Sequence, residues 1–510
     1  MPETPRPGER VELLEIEDAW LVDPASGHEG RGSLRVEDGR IVALEWAERE
    51  PGGRAARRGH GSATDAPGPA SGAPAPDRPS VLVTPALVDI HVHLRQPGRE
   101  DAETVASGLA AAAHGGFGAV CAMANTTPAI DSAGLVEDEL ATARASGSPV
   151  RLLSYGAVTA GRRGETLAPM GEMADAGAVG FSDDGSPVAD ASLFRNALAY
   201  AGALGRMLVE HPEEPSLTKG AEANEGLVAT ILGLKGWPAA GEESAVARDL
   251  AILAEVVGSN PASAAPHLHL THLSTAGSVE LVRQAKAAGL PVTCDVTPHH
   301  LALHDGWVAG DRRFAWEAAA SPWTRGRADA PPYDQSTRVN PPLRTPADAL
   351  ALWRGLADGT VDAIATDHAP HTQVDKLVEY GDAANGISGI ETALSVVLAG
   401  VEAGLLPLTG AIRALTTGPV RVLGSAAAGA AGRRRAHEPF VPGLVEGAVA
   451  NLLVVDTAEG WDVTRESLRS KGKNSPLLGR RLGGRVLATV VEGRFAYADA
   501  LEDALAEASR

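Results

Sequence analysis

Six side chains able to hold a metal ion fall at the ends of apolar runs. They are His91 and His93 in ALVDIHVHL, Asp184 in AVGFSDD, His211 in RMLVEH, His272 in HLHLTHLS and Asp367 in DAIATDHAPH. Residues at i and i+2 on a strand point to one face, so His91 and His93 can share an ion. Alone the pair also reads as two surface histidines on an edge strand. The apolar flank ALVDI marks a buried strand instead, where two unpartnered imidazoles would be costly to bury. His211 taken singly is a ligand or a structural histidine. His267 and His269 share an alternate face of their run, as core or supporting groups, and only its strand-end position prefers His272. Asp367, beside His368 and His371, can be a ligand, a general base or a helix N-cap. As a set, the residues have the nitrogen and oxygen character of a zinc site that keeps one position open for water.

These groups need a scaffold that brings distant strand ends together. Besides the five runs above, GAVCAMANT, VRLLSYGAV and PVTCDVTPHH read as strands. Between the runs lie helical stretches such as ETVASGLAAAAHGG, ASLFRNALAYAGALG, ESAVARDLAILAEVVG and SVELVRQAKAAG. Strand–helix alternation implies parallel βαβ units. Eight strands predict an α/β fold, a TIM-type (β/α)8 barrel, whose catalytic groups sit at the C-terminal strand ends. An open doubly wound sheet would call for a glycine-rich phosphate turn after the first strand, where this chain has His-Val-His. Residues 11–44 alternate apolar and polar, as short antiparallel strands do, and VPGLVEGAVANLLVVD and GGRVLATVVEGRFAYAD near the other end are also strand-like. The expected layout is a small β-sandwich from residues 1–80 and 430–510 beside a barrel of residues 81–429. The Gly/Ala/Pro/Arg-rich stretch 48–80 is read as a flexible insertion.

Composition narrows the function. The 510 residues carry a formal net charge of −20, which argues against a nucleic-acid binder with a basic face. The N-terminus lacks an apolar secretory core, and no run approaches the roughly 18–20 apolar residues of a membrane span. The two cysteines, Cys121 and Cys294, sit in apolar runs and read as buried free thiols, so a cytoplasmic, reducing location is expected.

At these residues the sequence resembles the amidohydrolase superfamily and, within it, the class I dihydroorotases. The matching segments are PALVDIHVHLRQPG, MANTTPAID, GFSDDGSPV, EHPEE, HLHLTHLST, RVNPPLR, ATDHAPH and NGISGIETAL, in the family's order. The resemblance implies reversible interconversion of N-carbamoyl-L-aspartate and (S)-dihydroorotate in de novo pyrimidine (UMP) biosynthesis. It implies one or two Zn2+ ions: His91, His93 and Asp367 on one, His211 and His272 on a second, Asp184 bridging. Asp367 would also be the catalytic base. Arg95, Asn125 and His371 would hold the substrate carboxylate, and Asn340 with the backbone around Gly386 would contact the ring. Hydantoinases, dihydropyrimidinases and allantoinases usually bridge their metals with a carboxylated lysine. The six lysines here are Lys219, Lys235, Lys286, Lys376, Lys471 and Lys473, none between His91 and His211, which leaves an aspartate bridge. Arg95 suits a substrate that bears a carboxylate.

Some positions depart from the family pattern. MANTTP replaces MPNTNP, Asn385 replaces a proline before Gly386, Asn451 replaces an aspartate, and residues 306–337 are longer than the family needs. That stretch reads as a lid, an interface or a solvated insertion. Two other readings stay open: a non-catalytic partner of aspartate transcarbamoylase, and a hydantoinase-like or allantoinase-like hydrolase. By analogy an active enzyme in complex with aspartate transcarbamoylase, and a homo-oligomer, are also expected.

Overall fold

The computed structural model describes residues 5–47, 79–259, 266–320, 329–428, 443–501 and 504–505. Its centre is an eight-stranded parallel sheet in which every neighbour in space is a neighbour in the series. The strands are Leu87–Val92, Phe117–Ala122, Arg151–Gly156, Gly180–Ser182, Met207–Glu210, His267–Leu270, Val292–Val296 and Ala363–Ile364. All eight apolar runs read from the sequence are present. A parallel bridge between Val92 and His368 joins last to first, and the His93 amide donates to the His368 carbonyl at 2.9 Å, so the sheet closes into the expected barrel.

Strands of a parallel barrel are covered on both faces, which is why these runs are apolar almost throughout. The intervening helices start where side chains satisfy free amides. Thr104 caps Val105–His114, with Ser107 completing a capping box. Asp190 caps Ala191–Ala203 and Thr275 caps Ala276–Ala287. One apolar cluster gathers helix residues Leu109, Phe194 and Val279 with strand residues Val120, Phe181 and Leu268. Cys121 and Cys294 are buried free thiols, as their surroundings suggested.

The two ends of the chain join in a second sheet of seven strands. In spatial order these are Arg494–Ala498, Arg481–Val491, Leu452–Asp462, Val81–Pro85, Leu13–Asp23, His28–Glu37 and Arg40–Trp46. It has its own apolar cluster, including Ile16, Leu34, Ile41, Leu452 and Val490. Of the insertion expected at 48–80, residues 48–78 lie outside the described residues.

The described residues of the stretch 306–337 are partly packed rather than wholly solvated. Trp307 and Phe314 are buried and stack at 6.5 Å, and Arg480 lies over the Phe314 ring at 4.4 Å. Two aromatic side chains without periodicity supply enough apolar surface to dock this segment, a feature that helical or strand patterning does not report. Residues 321–328 within it lie outside the described residues.

Candidate metal centre and active site

The C-terminal ends of the strands place the predicted residues around one cavity of about 160 Å³. Its wall includes His93, Arg95, Asn125, Asp184, His211, His272, Asn340, Asp367, His371 and Gly386. His91 lies beneath it, wholly buried. Every candidate site residue is therefore in or directly under one pocket.

Two imidazoles are fixed by what their Nδ1 atoms meet. The Thr271 hydroxyl donates to Asp295 at 3.1 Å, so His91 Nδ1, 2.7 Å from Thr271 Oγ1, carries the hydrogen of that contact. His93 Nδ1 likewise donates to Asn125 Oδ1 at 2.8 Å. In their neutral forms both rings direct an Nε2 lone pair into the pocket. His91 Nε2 has no hydrogen-bond partner, and lies 3.4 Å from Asp184 Oδ2 and 3.5 Å from Asp367 Oδ1. His93 Nε2 is 2.9 Å from Asp367 Oδ1 and 3.5 Å from Asp184 Oδ2. Lone pairs facing carboxylates at these distances repel unless a cation lies among them.

On the other side of Asp184 the pattern repeats. His211 Nε2 donates to Glu213 at 2.9 Å, leaving Nδ1 directed at His272 Nε2, 2.8 Å away, and at Asp184 Oδ1, 3.5 Å away. His272 Nε2 is 3.3 Å from the same oxygen, and its Nδ1 has no partner. Asp184 thus turns Oδ2 toward His91 and His93 and Oδ1 toward His211 and His272. The donor atoms of His91, His93 and Asp367, and those of His91, Asp184 and His272, each lie within 4.8 Å of one another. The donor set, its convergence and the unpartnered nitrogens all fit a metal ion.

The electrostatics agree. Burial alone would raise the Asp184 carboxyl, yet His91, His211 and His272 around it hold it well below the usual carboxylate range. Burial also opposes charge on His91, but Asp184 and Asp367 outweigh it and push this imidazole up to about 9. In the same way Asp184 and Glu213 lift His211 to about 10. The pocket stabilises positive charge between its carboxylates.

Backbone geometry aims several of these groups. His272 and Asp367 follow their strands with φ of 40° and 47°, and Arg95 has φ of 60°. Such left-handed conformations in non-glycine residues persist where surrounding contacts hold them. The Asp295 carboxylate accepts the His272 amide at 2.7 Å and faces His269 Nε2 at 2.8 Å, so His269 supports the site from below. Asp89 accepts the Thr366 amide at 3.0 Å and ties the first strand to the segment bearing Asp367.

At the open end, Arg95 donates from Nε to the Pro370 carbonyl at 3.1 Å, and its Nη2 is 3.2 Å from His371 Nε2. Burial, with Arg95 beside it, lowers His371 to about 3, so the ring is neutral. Asn125 Oδ1 is taken by His93, which leaves its Nδ2 for a ligand. Asn340 donates from Nδ2 to Glu213 at 2.8 Å, and its Oδ1 is buried without a partner. Gly386 donates its N–H to Arg338, and its carbonyl accepts from Asn474 Nδ2 at 2.9 Å, so it contributes a smooth wall. A Cβ there would approach the Ala369 Cβ to 2.6 Å. His368 turns away, with Nε2 3.5 Å from Glu103.

Sequence reasoning missed Glu213, Thr271, Asp295 and Asn474. Glu213 and Thr271 stand beside the strand-end histidines His211 and His272, which was the available signal, whereas Asp295 has no such neighbour in the chain. Asn474 had none.

A closed parallel barrel that gathers imidazoles and carboxylates on its C-terminal rim defines a hydrolase of the amidohydrolase type. Solved structures with this fold include the L-hydantoinase (dihydropyrimidinase) from Arthrobacter aurescens, with TM-score 0.69, 22% identity, and coverage of 95% of this chain and 96% of that one. The dihydropyrimidinase from Brevibacillus agri NCHU1002 matches with TM-score 0.67 and 17% identity over 95% of each chain. The model of the Dihydro-orotase-like family matches residues 80–278. The dihydroorotase of Anaeromyxobacter sp. (strain K) is 43% identical over 96% of this chain and 99% of its own. That of Geobacter sp. (strain M21) is 40% identical over 95% and 99%. The chain belongs to the dihydroorotase family.

Proposed function

We propose that this chain is a class I dihydroorotase, a cytoplasmic zinc enzyme that interconverts N-carbamoyl-L-aspartate and (S)-dihydroorotate for pyrimidine synthesis. The observation that carries the reading is the Asp184 carboxylate, which faces one histidine pair with each oxygen in a pocket whose lining includes no lysine. His91, His93 and Asp367 would hold one zinc, and His211 and His272 a second, with Asp184 between them. When bound, zinc supplies a Lewis acid for the amide carbonyl and lowers the pKa of water.

The chain's own groups do the rest. In ring opening, water adds to the ring carbonyl carbon and the C–N bond breaks. Asp367 accepts the proton from the water and passes it to the departing ring nitrogen. In ring closure the same carboxylate works in reverse. Arg95 and the Asn125 amide N–H bind the substrate carboxylate, with neutral His371 beside them, and so place the carbonyl before Asp367. The free Asn340 Oδ1 accepts a ring N–H.

Turnover of dihydroorotate, dihydrouracil and allantoin by the purified zinc-loaded protein tests this. Dihydroorotate should be preferred. A preference for either of the others would replace the reading with a hydantoinase-like or allantoinase-like one, and no turnover with metal bound would favour a non-catalytic partner. Assembly into a homo-oligomer and with aspartate transcarbamoylase belong to the same proposal, and are tested by light scattering and co-purification.

A further inference from the structure

Lys376 ends a single helical turn, Gln373–Lys376, and is only 3% exposed. No carboxylate forms an ion pair with it among the described residues. Its ammonium instead donates to three backbone carbonyls: Ala384 at 2.7 Å, Gly386 at 3.1 Å and Arg338 at 3.2 Å. All three of its hydrogens are used. Burying an ammonium without a counter-charge is costly, so a simple packing role would be served better by an apolar side chain.

The three carbonyls belong to two separate segments of the pocket wall. Arg338 immediately precedes Val339 and Asn340, which line the cavity. Ala384 and Gly386 flank Asn385, whose carbonyl is 2.8 Å from His371 Nε2. The two segments touch through the Gly386 amide, which donates to the Arg338 carbonyl at 3.0 Å. Neither belongs to a strand of the barrel, so the sheet itself does not fix them.

We propose that Lys376 is a positioning residue for the substrate. It gathers the Arg338 and Ala384–Gly386 carbonyls, and so sets the Asn340 amide and the Asn385–Gly386 wall at a fixed distance from Arg95 and His371. The inference rests on reading this cavity as the substrate pocket. Lys376 touches neither the candidate metal ligands nor the reacting atoms, so its loss acts on binding and leaves the chemistry in place.

The test is steady-state kinetics of Lys376→Met with zinc content measured on the same samples. Relative to wild type, KM for dihydroorotate should rise about tenfold or more, with kcat within about threefold and zinc unchanged. Lys376→Arg, which keeps charge and donors, should recover part of the KM loss. If the Met variant does not fold, Lys376→Arg and Asn474→Ala carry the test, because each weakens the same wall from one side and should raise KM selectively. An unchanged KM in a folded variant overturns the proposal, as does a fall in kcat that tracks zinc loss. A wild-type protein that does not turn over dihydroorotate removes the functional reading, and this inference with it, before any substitution is made.

Discussion

His93 Nε2 and Asp367 Oδ1 lie 2.9 Å apart, although 274 residues separate them in the chain. The contact exists because the first and last strands of the barrel are neighbours, and it makes Asp367 a metal-ligand candidate, the group that carries the proton in the proposed reaction. Replacing Asp367 by Asn keeps the shape and removes the base. We expect kcat to fall by about 10²–10⁴-fold, with zinc still detected by elemental analysis. Full turnover with zinc bound would rule out this role.

Asp184 divides its two oxygens between two histidine pairs. Asp184→Ala should lower zinc stoichiometry toward one per chain, measured by mass spectrometry of the metal, and should reduce activity more than any single substitution of His211 or His272. Unaltered stoichiometry would show that the carboxylate does not bridge.

Arg95 donates to the Pro370 carbonyl and keeps a guanidinium edge at the pocket. Losing a charge-assisted hydrogen bond costs about 1.5–3 kcal/mol. Arg95→Met should therefore lower kcat/KM for dihydroorotate by roughly ten- to a hundred-fold, while any slow turnover of dihydrouracil, which has no carboxylate, changes little. A parallel loss on both substrates would assign Arg95 to pocket structure instead.

Glu139 lies buried on the helix Ala133–Ala145, and burial pushes its carboxyl up from 4.5 to about 8. Between these values the folded state keeps a proton that the unfolded state releases, so stability falls as pH rises through this window. Each pH unit corresponds to up to about 1.4 kcal/mol. Glu139→Gln should flatten that part of the curve, seen as a denaturation midpoint that rises relative to wild type from pH 5 to pH 8. An identical slope in both proteins would refute this.

The barrel and its ligand candidates were legible because both are written locally. Five of the eight apolar runs carry a candidate histidine or aspartate at the strand end, and the i, i+2 spacing of His91 and His93 survives folding unchanged. What was not legible depends on contacts made only in three dimensions. Thr271 and Asp295 fix the His91 ring, but nothing in their spacing to His91 distinguishes them from ordinary strand residues. Nothing in the sequence around Lys376 announces its burial, which the closeness of Arg338 and Gly386 reveals. The length of the stretch 306–337 leaves a lid, an interface and a solvated insertion open, and only the folded chain shows Trp307 and Phe314 buried and stacked.

Asn474, 103 residues downstream of His371, accepts the His371 amide on Oδ1 at 2.8 Å and donates from Nδ2 to the carbonyls of Ala369 and Gly386. On a translating ribosome all six candidate metal ligands are therefore made long before the residue that braces the substrate end of the pocket. A chain ended before Asn474 would keep every candidate ligand and lose the brace on the His371 backbone.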